Sequence, residues 1–289
     1  MKYGVAIFPT DQALRIDLLA RAAEERGLES LFVCEHSHIP ASRRTPWPVG
    51  GGELPREYWA MLDPLVALGM AAGATRKLLL GTAVCLVMQR DPIILAKETA
   101  SLDFLSGGRF VFGIGAGWNA EEMENHGVAF ASRWDIAREK TEAIKAIWTS
   151  KDAGYHGKWV NFDPIWSEPK PAQKPHPPIL FGGQGIKAMR AAIGYCDGWL
   201  PALTPDFAVA VTKFRHLAQD SRRDPKSLHI TAIWAAIANG WSAPDGAVLQ
   251  QSAAAGADRL ICGVPPSGSD AAMRWLDEYA RVIDRQSRS

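Results

Sequence analysis

The sequence predicts an α/β protein of the closed (β/α)8, or TIM, barrel type, with insertions in the loops at the carboxyl ends of the strands. Three observations carry this. Short apolar runs of strand length alternate eight times with stretches of helical periodicity. The runs are nearly continuous, as expected of parallel strands covered on both faces. The 289 residues suit one barrel, which takes about 250, with room for insertions. An open doubly wound sheet is the competing architecture, disfavoured because no GxGxxG follows the first strand.

In chain order, Tyr3–Phe8 reads as the first strand. Asp11 is placed to cap a helix carrying Leu14, Leu18, Leu19 and Ala22, ending at Gly27. Ser30–Glu35 is the second strand and runs into Glu35-His36-Ser37-His38. Pro40 to Tyr58, rich in Pro, Gly, Trp and Arg, is a long loop of the kind that usually serves function. Asp63-Pro64 opens the second helix, Lys77–Val84 is strand three, and Asp91-Pro92 opens helix three. Ser106-Gly107-Gly108 ends that helix. Arg109–Ile114 is strand four, leading to Gly115-Ala116-Gly117. A helix start near Glu121–Glu124 and an amphipathic stretch from Trp134 to Trp148 follow. Residues 150–178, with many prolines, read as an insertion in a single 1–289 barrel domain, with a small hairpin as one form for it. Strands five to eight are Ile179–Phe181, Gly198–Pro201, Leu228–Ile237 and Arg259–Cys262. Between and after them lie helices ending at Tyr195, over Pro205–Asp220 and Pro244–Ala255, and a last one over Ser269–Ile283.

Composition narrows the function classes. The chain is 47% hydrophobic and 22% charged, with a formal net charge of +1. It offers no basic surface for nucleic acid or an acidic membrane. It has no signal-like start and no run of 18 apolar residues, so a cytoplasmic location is expected. Cys34, Cys85, Cys196 and Cys262 lack CxxC spacing and read as buried, reduced thiols.

A barrel binds its ligand where the strand carboxyl ends meet the loops. Those ends carry Glu35, His36 and His38; Ala83 and Val84; Gly115, Gly117 and Trp118; Gly182, Gly183 and Gln184; and Trp199. Glu35-His36 reads either as a structural hydrogen-bonded pair or as an acid–base pair. The tryptophans read either as packing or as the wall of a site. His36 and His38 share a face in an extended segment, but no further ligands stand at metal spacing, so no metal is expected.

Several motifs in order along nearly the whole chain resemble the luciferase-like monooxygenase superfamily, and within it oxidoreductases using the deazaflavin coenzyme F420. They are Leu62-Asp63-Pro64-Leu65, Leu80-Gly81-Thr82-Ala83-Val84, Arg90-Asp91-Pro92, and Leu105-Ser106-Gly107-Gly108-Arg109. Gly113-Ile114-Gly115-Ala116-Gly117-Trp118, Pro169-Lys170-Pro171, Phe181-Gly182-Gly183 and Asp197-Gly198-Trp199 complete the set.

The resemblance implies a non-proline cis peptide at Ala83–Val84 behind the cofactor ring. It also implies phosphate contacts at Gly115, Gly117, Gly182 and Gly183, with His38, Trp118 and Gln184 beside the cofactor. Glu35-His36 falls where related F420 enzymes carry an acid–histidine pair, so these two are the catalytic candidates. Trp118 stands where the family's sugar-phosphate dehydrogenases carry a catalytic Glu; Glu121 and Glu122 follow but do not match that position. This leaves His36 as the best acid/base. The implied reaction is hydride transfer between F420 and a small organic substrate. The alternatives are an FMN-dependent monooxygenase, supplied with reduced flavin by a separate reductase, and a non-catalytic flavin-binding protein. A homodimer is expected from the resemblance and from the small apolar helix at Leu65–Ala72.

Overall fold

A computed structural model describes residues 1–49, 52–234, 240–266 and 268–288. The strands are β1 (Lys2–Ile7), β2 (Ser30–Val33), β3 (Leu79–Thr82), β4 (Phe110–Gly115), β5 (Ala153–His156), β6 (Asn161–Ile165), β7 (Ile179–Gly182), β8 (Gly198–Leu200), β9 (His229–Trp234) and β10 (Arg259–Gly263). Eight of them close a barrel in the order β1-β10-β9-β8-β7-β4-β3-β2. Every neighbouring pair in it is parallel. β5 and β6 form an antiparallel hairpin within the expected insertion. The carboxylate of Glu139 holds that hairpin's turn by accepting from the amides of Lys158, Trp159 and Val160. Residues 235–237, expected to extend β9, lie outside the described residues.

The helices are α1 (Ile16–Glu25), α2 (Pro64–Ala74), α3 (Pro92–Ser106), α4 (Ala120–Asn125), α5 (Arg133–Thr149), α6 (Gly185–Tyr195), α7 (Phe207–Asp220), α8 (Gly246–Ala254) and α9 (Ser269–Arg288). Asp63 and Asp91 cap α2 and α3 as expected, each accepting two first-turn amides ahead of a proline at the helix start. Gly107 ends α3 in the left-handed region at φ 73°. Asp11 does not cap α1. The helix begins five residues later, out of its reach, while Thr10 takes the turn amides of Gln12 and Ala13. Asp11 instead pairs with Arg56 at 2.7 Å.

Two apolar layers follow from the alternation of side chains along each strand. Ala6, Phe32, Val111, Leu180, Leu200 and Ile261 fill the barrel. Their neighbours face outward and pack under the helices, in a larger cluster that includes Leu31, Phe112, Phe181 and Trp199. Trp199 is therefore a packing residue whose Nε1–H also holds the Gly183 carbonyl at 2.9 Å, bracing the turn after β7 from behind. Leu200 takes the inward position, so Trp199 turns out against Phe214 of α7, ring centres 5.0 Å apart. Among the described residues, no helix is long and apolar enough to cross a membrane.

Candidate active site

The exit of β3 departs from regular strand geometry. The Ala83–Val84 peptide is cis, as the sequence motif implied. Thr82 Oγ1 donates to the Gly113 carbonyl at 2.7 Å, and the Cys85 amide donates to the same oxygen at 2.8 Å. The Val84 side chain then lies over two glycines of neighbouring strands. A Cβ on Gly115 would stand 2.4 Å from one Val84 methyl, and a Cβ on Gly182 2.3 Å from the other. No side chain fits at those distances. Both glycines, expected to contact phosphate, also make room for Val84. The Gly115 amide is also occupied, donating to Cys85 at 3.0 Å.

Past the end of β2, Glu35 and His36 engage different partners on different sides of the chain. The two do not form the hydrogen-bonded pair with each other that the sequence allowed. Glu35 accepts from the Leu86 amide at 2.6 Å and from Arg90 Nε at 2.7 Å, and so props the segment after β3. The partner of His36 is Glu122 on α4, 2.6 Å from Nδ1. Trp118 Nε1–H donates to His36 Nε2 at 3.1 Å. An indole nitrogen is only a donor, so Nε2 carries the lone pair and the proton sits on Nδ1, directed at Glu122. The ion-pair geometry is sheltered: the side chains are 6% and 1% exposed. Glu122 also accepts from the Ser37 amide at 3.1 Å.

Sequence reasoning missed Glu122. It lies at the third position of a short helix opened by Asn119, where an acidic residue reads as a helix-start feature. The available signal was a charged residue beside Met123 directly after a glycine-rich strand exit.

Aromatic rings surround this pair. Tyr58 lies 5.8 Å from His36, 6.3 Å from Trp118, 5.0 Å from Phe8 and 5.8 Å from Trp47. Beneath them is an apolar cavity of about 180 Å³, bordered by Ala6, Phe8, Cys34, Tyr58, Ala83 and Trp234. Burial pushes the Tyr58 hydroxyl up to about 12. The loop carrying Trp47 docks on α4 through Glu121, which accepts from the amides of Arg44 at 3.0 Å and Thr45 at 3.2 Å. Hydrogen bonding by Thr45, with backbone bonds behind it, holds the Glu121 carboxyl down at about 2. Arg43 lies over the Trp118 ring, 5.8 Å from its centre, while the Arg44 side chain is exposed.

Residues 9–286 match the luciferase-like monooxygenase family. The chain belongs to this family. It is 42% identical over 203 residues to an uncharacterized protein of Mycobacterium tuberculosis (strain H37Rv), covering 69% of this chain and 72% of that one. Its fold is similar to that of monooxygenase RslO1 from Streptomyces bottropensis, with TM-score 0.80 and 20% identity over 99% of this chain and 100% of the other. It is also similar to the coenzyme F420 dependent tetrahydromethanopterin reductase from Methanopyrus kandleri, with TM-score 0.76 and 19% identity over 98% and 99% of the two chains.

The far side of this luciferase-like barrel is made of backbone. Gly183 at φ 122° and Gly185 at φ 81° turn the chain from β7 into α6, and Gln184 caps α6 with no side-chain bond. The Gly183 amide donates to Leu200 and the Gln184 amide group to Ala202. The uncapped groups are therefore those of the first turn of α6 itself, which suits an anion. Gly117, at φ 64°, faces Met123, where a Cβ would come within 2.4 Å of the methyl. His38 has both ring nitrogens engaged, by Ser37 Oγ and by Asn125 Nδ2, each at 2.9 Å, and stands at the rim beside His126.

Proposed function

We propose that this protein is an F420-dependent oxidoreductase acting on a small organic substrate, with His36 as its acid/base. The observation that carries the reading is the single tautomer of His36, held between Glu122 and Trp118 and beside Tyr58, which lines an apolar cavity bordered by Ala83. The chemistry of the lining suits the group. The cavity is apolar and walled by aromatic rings, suiting a flat ring system, and the uncapped first turn of α6 suits a phosphate. When bound, the deazaflavin supplies the two-electron hydride chemistry at C5.

The chain's own residues do the rest. His36 Nε2 presents a lone pair to a donor, now the Trp118 indole. A substrate hydroxyl taking that place gives its proton to the same lone pair. Glu122, already hydrogen-bonded to Nδ1, stabilises the imidazolium that forms. Tyr58, Trp47 and Trp118 exclude water over the cavity, strengthening those interactions.

Parallel titration of the purified protein with F420 and FMN tests the reading. Micromolar binding of F420 without FMN is expected. The reverse result replaces it with an FMN-dependent monooxygenase served by a separate reductase.

The proposal includes a homodimer. Leu62, Val66 and Met70 on or beside α2, and Ile94, Phe104 and Leu105 on α3, are large apolar residues left exposed, Val66 at 73% and Leu105 at 81%. Monomers rarely display that much clustered apolar surface. Light scattering is expected to give twice the chain mass at micromolar concentration; a monomer mass overturns the dimer.

A further inference from the structure

The buried pair of His36 and Glu122 connects to the protein surface through one hydroxyl. Ser37 Oγ lies 3.4 Å from Glu122 Oε1, 2.8 Å from His126 Nε2 and 2.9 Å from His38 Nδ1. Ser37 and His126 are exposed and His38 is half-buried. A serine hydroxyl has one proton to give and two lone pairs, so it cannot donate to all three neighbours. Where it donates to Glu122, the imidazole contacts must be met by protons from the rings; where it donates to His126, the Glu122 contact is a hydrogen bond only if the carboxyl carries a proton. The protonation states of Glu122, His38 and His126 are therefore linked through Ser37.

We propose that Ser37, with the His126 and His38 rings, forms a proton relay between solvent and the buried His36–Glu122 pair. This rests on the reading of His36 as the acid/base. Outward, His36 takes a proton on Nε2 and releases the one on Nδ1 to Glu122 Oε2. After a half-turn of the carboxyl, Glu122 gives that proton to Ser37 Oγ, which passes its own hydroxyl proton to His126 Nε2, while His38 Nδ1–H, its Nε2 held by Asn125, donates to Ser37 Oγ and orients it. The imidazolium then loses a proton to water. Each hop breaks one N–H or O–H bond and makes one, and no electron moves. Inward transfer is the reverse. Partial desolvation on its inner side, with the His38 ring next, holds the otherwise exposed His126 below the usual imidazole range; Glu122 and Glu35 oppose this and Arg90 adds to it. A neutral ring at the rim is what the relay needs as its outer acceptor. Ser37, His38 and His126 act through His36 and are positioning residues.

The test needs neither cofactor nor substrate. In the nitrogen-15-labelled full-length protein, the His36 Nδ1–H proton is followed by NMR and its exchange with water measured. In Ser37→Ala this exchange is expected to slow on the order of tenfold or more, and Ser37→Thr, which keeps a hydroxyl, is expected to restore it. A merely structural role for Ser37 gives the opposite sign, because a loosened rim admits water and speeds exchange. Unchanged or faster exchange in Ser37→Ala, with the His36 resonance in place, overturns the relay. Should Ser37→Ala lose that resonance, the double variant His38→Asn/His126→Asn decides, with slow exchange supporting the relay and unchanged exchange overturning it. Slow exchange in a protein that binds neither F420 nor FMN leaves the relay standing and removes the cofactor reading. Unchanged exchange in a protein that binds F420 removes the relay alone.

Discussion

The two sides of the barrel mouth are built from different materials. On the β2–β4 side, Glu35, His36, Trp118 and Glu122 make directed side-chain bonds of 2.6 to 3.1 Å. On the β7 side, the corresponding surface is the turn Gly182-Gly183-Gln184 and the uncapped start of α6. The first side offers groups that exchange protons and have a fixed direction; the second offers amide dipoles, whose preference is for negative charge. The first is sensitive to which functional group stands at a position. The second is sensitive to whether any side chain stands there at all.

That contrast can be broken from either side. The largest effect is expected at His36. With reduced F420 and a substrate found by screening, His36→Ala lowers turnover roughly 10²–10⁴-fold while F420 affinity changes little; a variant that loses affinity and keeps turnover reverses the two sides. Next is Glu35→Ala, which leaves the largely buried Arg90 without its most sheltered partner. Its cost is about 3 kcal/mol, measured by urea unfolding, with His36 chemistry nearly intact. Across the mouth, Gly183→Val places a β-branched residue at φ 122°. It is expected to weaken F420 binding at least about tenfold, or about 1.4 kcal/mol, in a folded protein with the same His36 tautomer.

The smallest effect is the acid response of the loop docked on α4. The Glu121 carboxyl is held below its usual value of 4.5, at about 2 in the folded state. Its contribution is complete above about pH 4.5 and is lost as pH falls through about 2. Tryptophan fluorescence from Trp47 and Trp118 is expected to report loop release in that window, and Glu121→Gln to abolish the dependence.

Much of this was legible in the sequence because it is local. Asp63 and Asp91 announce helix starts within three residues, Gly107 announces a stop, and the eight β–α units set the barrel. His36 and Trp118 were placed at the mouth by counting strand exits. The pairing of His36 with Glu122 was not legible, since the two are 86 residues apart and meet only because β2, β3 and β4 are neighbours in the barrel. Adjacency in sequence misled at Glu35-His36, where the two side chains engage different partners on different sides of the chain. That Val84 fills the space over Gly115 and Gly182 was not legible, because a missing side chain gives no hint of what occupies its place.

That filled space makes Val84, Gly115 and Gly182 behave as a key and its two wards, the key cut just past the end of β3 and the wards on β4 and β7. Altering one part alone jams the fit, so changes there are expected to be strongly non-additive. Gly115→Ala alone should destabilise the protein, and Val84→Ala alone should leave a hole. The double variant, measured by thermal unfolding, should recover part of the combined loss. Redesign of this pocket one residue at a time would then meet a barrier that paired substitutions avoid.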